Sequence, residues 1–135
     1  MASLRKEFRL SAPASRVWDA FRDLYAVHTR LAPGFVTDCR RDGDDRIVTF
    51  ANGLVARELI VDVDEAARRL VYSAKSERLQ HHSASFQVFE EGAAHCKVVW
   101  IADVLPHAAA GPLGAMMDGG VAAMTKALAS RPAAA

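Results

Sequence analysis

Glu58, Tyr72 and His82 are a carboxylate, a phenol and an imidazole able to do acid–base or hydrogen-bonding chemistry, each set in a different alternating segment. A carboxylate and an imidazole can orient a ligand hydroxyl or carbonyl, directly or through water, and a tyrosine adds a flat apolar wall with a hydroxyl. Taken out of water, Glu58 would have its pKa raised and His82 its pKa lowered unless they pair, which would let either act as acid or base near neutrality. A plainer alternative stands beside this one. Glu58 forms a buried ion pair with an arginine across the sheet, and His82 satisfies a backbone carbonyl.

Other chemistries have less support. His81 and His82 are adjacent on a strand-like segment and must point to opposite faces, so they cannot hold one metal together. No Asp, Glu and His grouping matches zinc or iron ligand geometry. Gly111 to Gly120 lacks the strand, turn and helix context of a dinucleotide fingerprint, and no nucleophile–base pairing or phosphate loop is visible. The expectation is therefore no metal and no nucleotide cofactor. Cys39 and Cys96 lie in separate segments without metal-ligand spacing and are expected as two reduced thiols.

The elements that must position these groups can be read from periodicity and turn chemistry. Ser3 to Leu10 alternates apolar Leu4, Phe8 and Leu10 with charged residues, Lys6 interrupting the apolar row, and reads as a half-exposed strand. Pro13 suits a first helical turn, Ser11 is placed to cap it, and Val17, Trp18 and Phe21 form one apolar helical stripe with Trp18 as a core anchor. Six further strands follow: Phe35 to Arg41, Arg46 to Phe50, Leu54 to Val63, Arg69 to Lys75, His81 to Glu90 and His95 to Leu105. Asn52-Gly53 is a strong hairpin signal, and the short links throughout predict an antiparallel meander. After Pro106, Leu113, Met116, Met117, Val121, Met124 and Leu128 recur at helical spacing, predicting a long helix laid on the sheet. Gly119-Gly120 within it predicts a kink or a helix start unless a close approach uses them.

The chain length of 135 residues suits one domain: residues 1–130 as the ligand-binding unit and 131–135 as a disordered tail. A net charge of +1 from 17 basic and 16 acidic residues gives no field of the kind a dedicated nucleic-acid binder needs. No apolar run approaches the roughly 20 residues that span a bilayer, and no signal-peptide order opens the chain, so a cytoplasmic protein is expected.

The order strand, two short helices, six strands, long helix resembles the START-like, or birch-pollen-allergen-like, superfamily, and within it the polyketide cyclase/dehydrase and lipid-transport group. The residues that carry the resemblance are Ala12 to Asp19, Asp23 to His28, Gly53 to Leu59, Asp64 with Arg69 to Tyr72, and Val98 to Trp100. It implies an α+β helix-grip fold, in which a curved seven-stranded antiparallel sheet wraps around the C-terminal helix and leaves a cavity between them. Such cavities bind sterols, lipids, polyketides, plant hormones or quinones.

The resemblance of Gly53 to Glu58 to plant hormone receptors, whose matching glutamate looks into the pocket, implies that Ala56, Glu58 and Ile60 face inward. Alternation then selects Leu70, Tyr72 and Ala74, next His82, Ala84, Phe86 and Val88, and Trp100 on the last strand. Glu58, Tyr72 and His82 would lie close to a single row on the concave face. Phe50, Met116, Met117, Val121 and Met124 would complete an adaptable apolar wall. Thr37 stands where the hormone receptors carry a lysine for a ligand carboxylate, so a neutral, mostly apolar ligand fits better. His28, in the second short helix, either leans over the cavity mouth, as the resemblance implies, or faces solvent or caps the helix.

Two functions follow from the resemblance. One is a non-enzymatic carrier or sensor of a small hydrophobic molecule; the other is a metal-free polyketide cyclase or dehydratase using Glu58, Tyr72 and His82. The expected partner is the small hydrophobic molecule itself, with neither nucleic acid nor a membrane span, and a homodimer is left open.

Overall fold

Residues 2–129 are described by the structure, a computed structural model; the expected tail at 131–135 lies outside them. The alternating segments fold into β1 (Ala2–Leu10), β2 (Val36–Asp42), β3 (Asp45–Phe50), β4 (Val55–Asp64), β5 (Arg69–Lys75), β6 (His81–Glu90) and β7 (Cys96–Leu105). They form one seven-stranded antiparallel sheet in the order β1-β7-β6-β5-β4-β3-β2. Strands β2 to β7 are a meander, and β1 returns to pair with β7. The sheet is curved and unclosed. Gly53, at φ 89°, turns β3 into β4, a left-handed backbone that glycine adopts without strain.

Between β1 and β2 lie α1 (Ala14–Arg22) and a short π-helical segment, Val27–Leu31. Ser11 does not cap α1. The N-cap is Pro13, whose carbonyl accepts the Arg16 and Val17 N–H groups at 3.1 Å each, so the helix begins one residue later and makes no side-chain cap. The apolar stripe buries Val17, Trp18 and Phe21 against the sheet, with the Phe21 and Phe86 rings 4.8 Å apart. Trp18 is a core anchor, and its indole N–H donates to Glu65 at 3.3 Å.

A 3₁₀ turn, His107–Ala109, leads into α2 (Ala110–Ala129). This helix runs unbroken through Gly119-Gly120, where the sequence predicts a kink or a start. The glycines instead permit close approach. A Cβ on Gly120 would stand 3.1 Å from the Trp100 ring, and one on Gly119 would stand 3.2 Å from Phe35. Met117, Gly120, Met124 and Leu128 form its buried stripe. Lys6, which interrupts the apolar row of β1, points to the same face as Leu4 and Phe8 and reaches Asp118 of α2 at 2.8 Å.

Two irregularities decide which side chains face α2. A bulge between Val36 and Asp38 turns Thr37 outward, and a register shift between Ile60 and Asp62 leaves Val61 exposed. Cys39 and Cys96 are both buried free thiols, each with its pKa raised by burial.

Candidate functional site

The concave face of the sheet and α2 enclose a cavity of about 450 Å³. Its exposed lining residues Leu54, Val55, Arg78, Ala108 and Pro112 mark the mouth. The wall is mostly apolar, from Val27, Leu31, Phe35, Val36 and Val48 on one side to Leu113 and Met116 on the other.

Cross-strand register places the polar groups. Glu58 sits opposite Arg46 on β3 and Ala74 on β5, whereas Tyr72 sits opposite Ile60 on β4 and Ala84 on β6. Glu58 and His82 therefore share the row that passes through Ala74, and Tyr72 occupies the next one. The single row expected from the sequence is not formed, because Tyr72 lies one inward position, two residues, before Ala74 on β5.

Glu58 is held by a partner the sequence reading did not name. Arg46 Nε donates to Glu58 Oε1 at 2.7 Å, Arg46 Nη1 donates to the Leu24 carbonyl at 3.0 Å, and Arg46 is only 3% exposed. Burial alone would lower the arginine pKa; the charge of Glu58 and its hydrogen bond outweigh burial and hold it raised. The plainer alternative for Glu58 is thus the one observed. The signal for Arg46 was its place opposite Glu58, inward by the same alternation as Val48 and Phe50.

His82 is buried and does not make the backbone contact of the plainer alternative. The β5–β6 pairing runs in register from Arg69 opposite Gln87 to Tyr72 opposite Ala84. Past that point side chains take over the backbone's hydrogen bonds. Ser73 Oγ donates to the His82 carbonyl at 2.6 Å, and the Ala74 N–H donates to His82 Nδ1 at 2.9 Å. The imidazole accepts a backbone N–H where a carbonyl partner was expected. Its pKa is lowered, chiefly by burial, with the charge of Glu58 opposing.

Tyr72 is buried among rings. It stacks on Phe86 at 5.8 Å, Phe86 stacks on Trp100 at 4.5 Å, and the guanidinium of Arg46 lies 5.4 Å from the Tyr72 centroid. The Trp100 indole N–H donates to the Tyr72 hydroxyl at 3.0 Å. Burial, reinforced by the charge of Glu58, raises the phenol pKa and keeps it protonated.

Among the other residues singled out from the sequence, Phe50, Ala56, Phe86, Trp100, Met116, Met117 and Met124 line the cavity. Four do not. Thr37 is turned to solvent by its bulge, its hydroxyl donating to the Thr49 carbonyl at 3.3 Å, and Val36 takes the inward place. Ile60, beside the register shift, packs against the core away from the cavity. Ala84 is buried and does not line the cavity. Val121 is rotated about 100° from Gly120 and packs on the flank of α2. His28 is half-buried in the π-helical segment, whose Val27 and Leu31 line the cavity in its stead.

Among the described residues no group of three His, Cys, Asp or Glu side chains could hold a metal, and no helix is long and apolar enough to cross a membrane.

Three solved structures share this architecture. A protein from Thermobifida fusca is 32% identical at a TM-score of 0.78, with 97% of this chain and 93% of that one covered. A START superfamily protein from Mycobacterium smegmatis matches at TM-score 0.76 and 12% identity, covering 95% and 97% of the two chains. Norcoclaurine synthase from Thalictrum flavum, in complex with dopamine and hydroxybenzaldehyde, matches at TM-score 0.71 and 18% identity over 98% and 88%. No curated protein matches the chain. These likenesses show the helix-grip fold. A family model described as polyketide cyclase / dehydrase and lipid transport matches residues 1–134, and over that length the chain belongs to this family.

Proposed function

We propose that the protein binds a small, hydrophobic, mostly neutral molecule between its sheet and α2, as a carrier or sensor. The observation that carries this reading is the cavity of about 450 Å³ whose one internal ion pair, Arg46–Glu58, neutralises itself. A ligand entering it meets Phe50, Ala56, Phe86, Trp100, Met117 and Met124 and needs no charge of its own. Of the two molecules held by norcoclaurine synthase, the hydroxybenzaldehyde, a small neutral aromatic, fits the same class of ligand.

Chemistry at the site favours binding over the cyclase or dehydratase reading. Such an enzyme needs a group that removes a proton next to a carbonyl. Glu58 is engaged by Arg46, the lone pair of His82 Nδ1 is engaged by Ala74, and the Tyr72 phenol stays protonated.

Native mass spectrometry of the protein purified from its own host, followed by denaturing extraction, tests the reading. A stoichiometric hydrophobic compound is expected. An empty protein that also shows no thermal stabilisation by lipids, sterols, quinones or aromatic polyketides would overturn it.

A further inference from the structure

The hydrogen bonds around the cavity fix what kind of polar atom a ligand can offer there. A backbone N–H can only donate, so the 2.9 Å contact from Ala74 requires a lone pair on His82 Nδ1. A neutral imidazole carries its proton on the other nitrogen. Nε2–H is therefore the tautomer the sheet imposes. The lowered pKa of His82 agrees with that neutral form.

Tyr72 is biased the same way. Its hydroxyl has one proton and two lone pairs, and the Trp100 N–H occupies a lone pair at 3.0 Å, leaving the proton to donate. The Tyr72 and His82 rings are 5.7 Å apart, and both line the cavity. Among the described residues neither His82 Nε2–H nor the Tyr72 proton has an acceptor. Arg46, the neighbouring cation, already spends Nε on Glu58 and Nη1 on the Leu24 carbonyl.

We propose that the cavity selects a neutral ligand bearing a carbonyl-type acceptor oxygen, a ketone or quinone, with His82 Nε2–H and the Tyr72 hydroxyl donating to it at the β5–β6 wall. This inference rests on the binding function proposed above and specifies its ligand class. A plain hydrocarbon leaves both protein donors unpaired, whereas a hydroxyl can accept from them but brings a further proton of its own that must be placed. Buried donors without partners are costly, and the discrimination comes from that cost.

The test uses a matched pair of probes, 9-fluorenone and fluorene, of the same shape and differing at one carbonyl. A wholly apolar cavity prefers fluorene, because the carbonyl gives up its hydrogen bonds to water on entry. A cavity with two waiting donors prefers fluorenone, by about fivefold to tenfold in dissociation constant, with the carbonyl infrared stretch of the bound probe shifted to lower wavenumber. Tyr72→Phe and His82→Phe should each shrink the preference and move the stretch back. The wild-type comparison stands even if a variant fails to fold. Fluorene bound as tightly as fluorenone, with an unshifted stretch, would overturn the carbonyl assignment and leave the apolar cavity standing. Binding of neither probe would remove both.

Discussion

Arg46 Nε and Glu58 Oε1 meet at 2.7 Å with both side chains buried at the inner face of the β3–β4 pair. The pair is a neutral polar unit inside a mostly apolar wall, and removing half of it leaves an uncompensated buried charge. Glu58→Ala should therefore cost about 3–5 kcal/mol in urea unfolding. Replacing both partners together, Arg46→Met with Glu58→Leu, should recover most of that loss. A single variant as stable as wild type would mean that Arg46 finds another partner or water.

The two glycines of α2 make opposite demands. Gly120 faces Trp100, which is pinned by its stack on Phe86 and its hydrogen bond to Tyr72 and cannot retreat from a Cβ at 3.1 Å. Gly119 faces Phe35, a half-buried ring able to give by a few tenths of an ångström. Alanine adds about 1 kcal/mol of helix propensity at either place, and overpacking costs about 1–3 kcal/mol where the neighbour cannot move. Thermal unfolding should show Gly119→Ala at or above wild type and Gly120→Ala below it.

His82 couples stability to pH. Its folded pKa lies below the ordinary value of 6.5, so the unfolded chain takes up the proton first as pH falls. The stabilisation from the neutral ring is complete above about pH 6.5 and is lost from there down toward the folded pKa. Burial sets the direction; Glu58 and Asp103 pull the other way, and His81 adds to it. Urea midpoints of the wild type should drop between pH 7.5 and 5.5. His82→Gln, whose amide oxygen can still accept the Ala74 N–H, should flatten that drop. The other titrating groups are common to both proteins, so the difference between the two curves isolates His82.

Strand positions were legible because alternation and turn residues act locally: β5 and β6 begin and end where the sequence puts them. Inward parity, implied at Glu58 by the resemblance and carried to the following strands by alternation, agrees with Glu58, Tyr72, His82, Phe86 and Trp100 lining the cavity. What the sequence hid is non-local. Nothing near Tyr72 says that it pairs with Ala84 and not with His82, since register is set by turns and bulges elsewhere in the sheet. Arg46 shares the inward parity of Val48 and Phe50, but its partner Glu58 on β4 is fixed only by the β3–β4 register. The takeover of the ladder by Ser73 and His82 has no periodic signature at all, since it depends on how two strands separate.

The bulge in β2 can be tested directly because it exchanges the roles of two adjacent residues. Val36 is buried and lines the cavity, while Thr37 is exposed with only a 3.3 Å hydrogen bond to the Thr49 carbonyl. Val36→Ala removes two buried carbons and should cost about 2 kcal/mol, counting the cavity left behind. Thr37→Lys should change stability by no more than about 0.5 kcal/mol, as for most surface replacements. It should also leave fluorenone affinity unaltered and bring no gain for an acidic probe such as 9-fluorenecarboxylate, because the ammonium points away from the cavity. Tighter carboxylate binding in Thr37→Lys would place residue 37 on the inner face and remove the bulge. Regular alternation would then hold along the whole strand, and Val36 would be the outward residue.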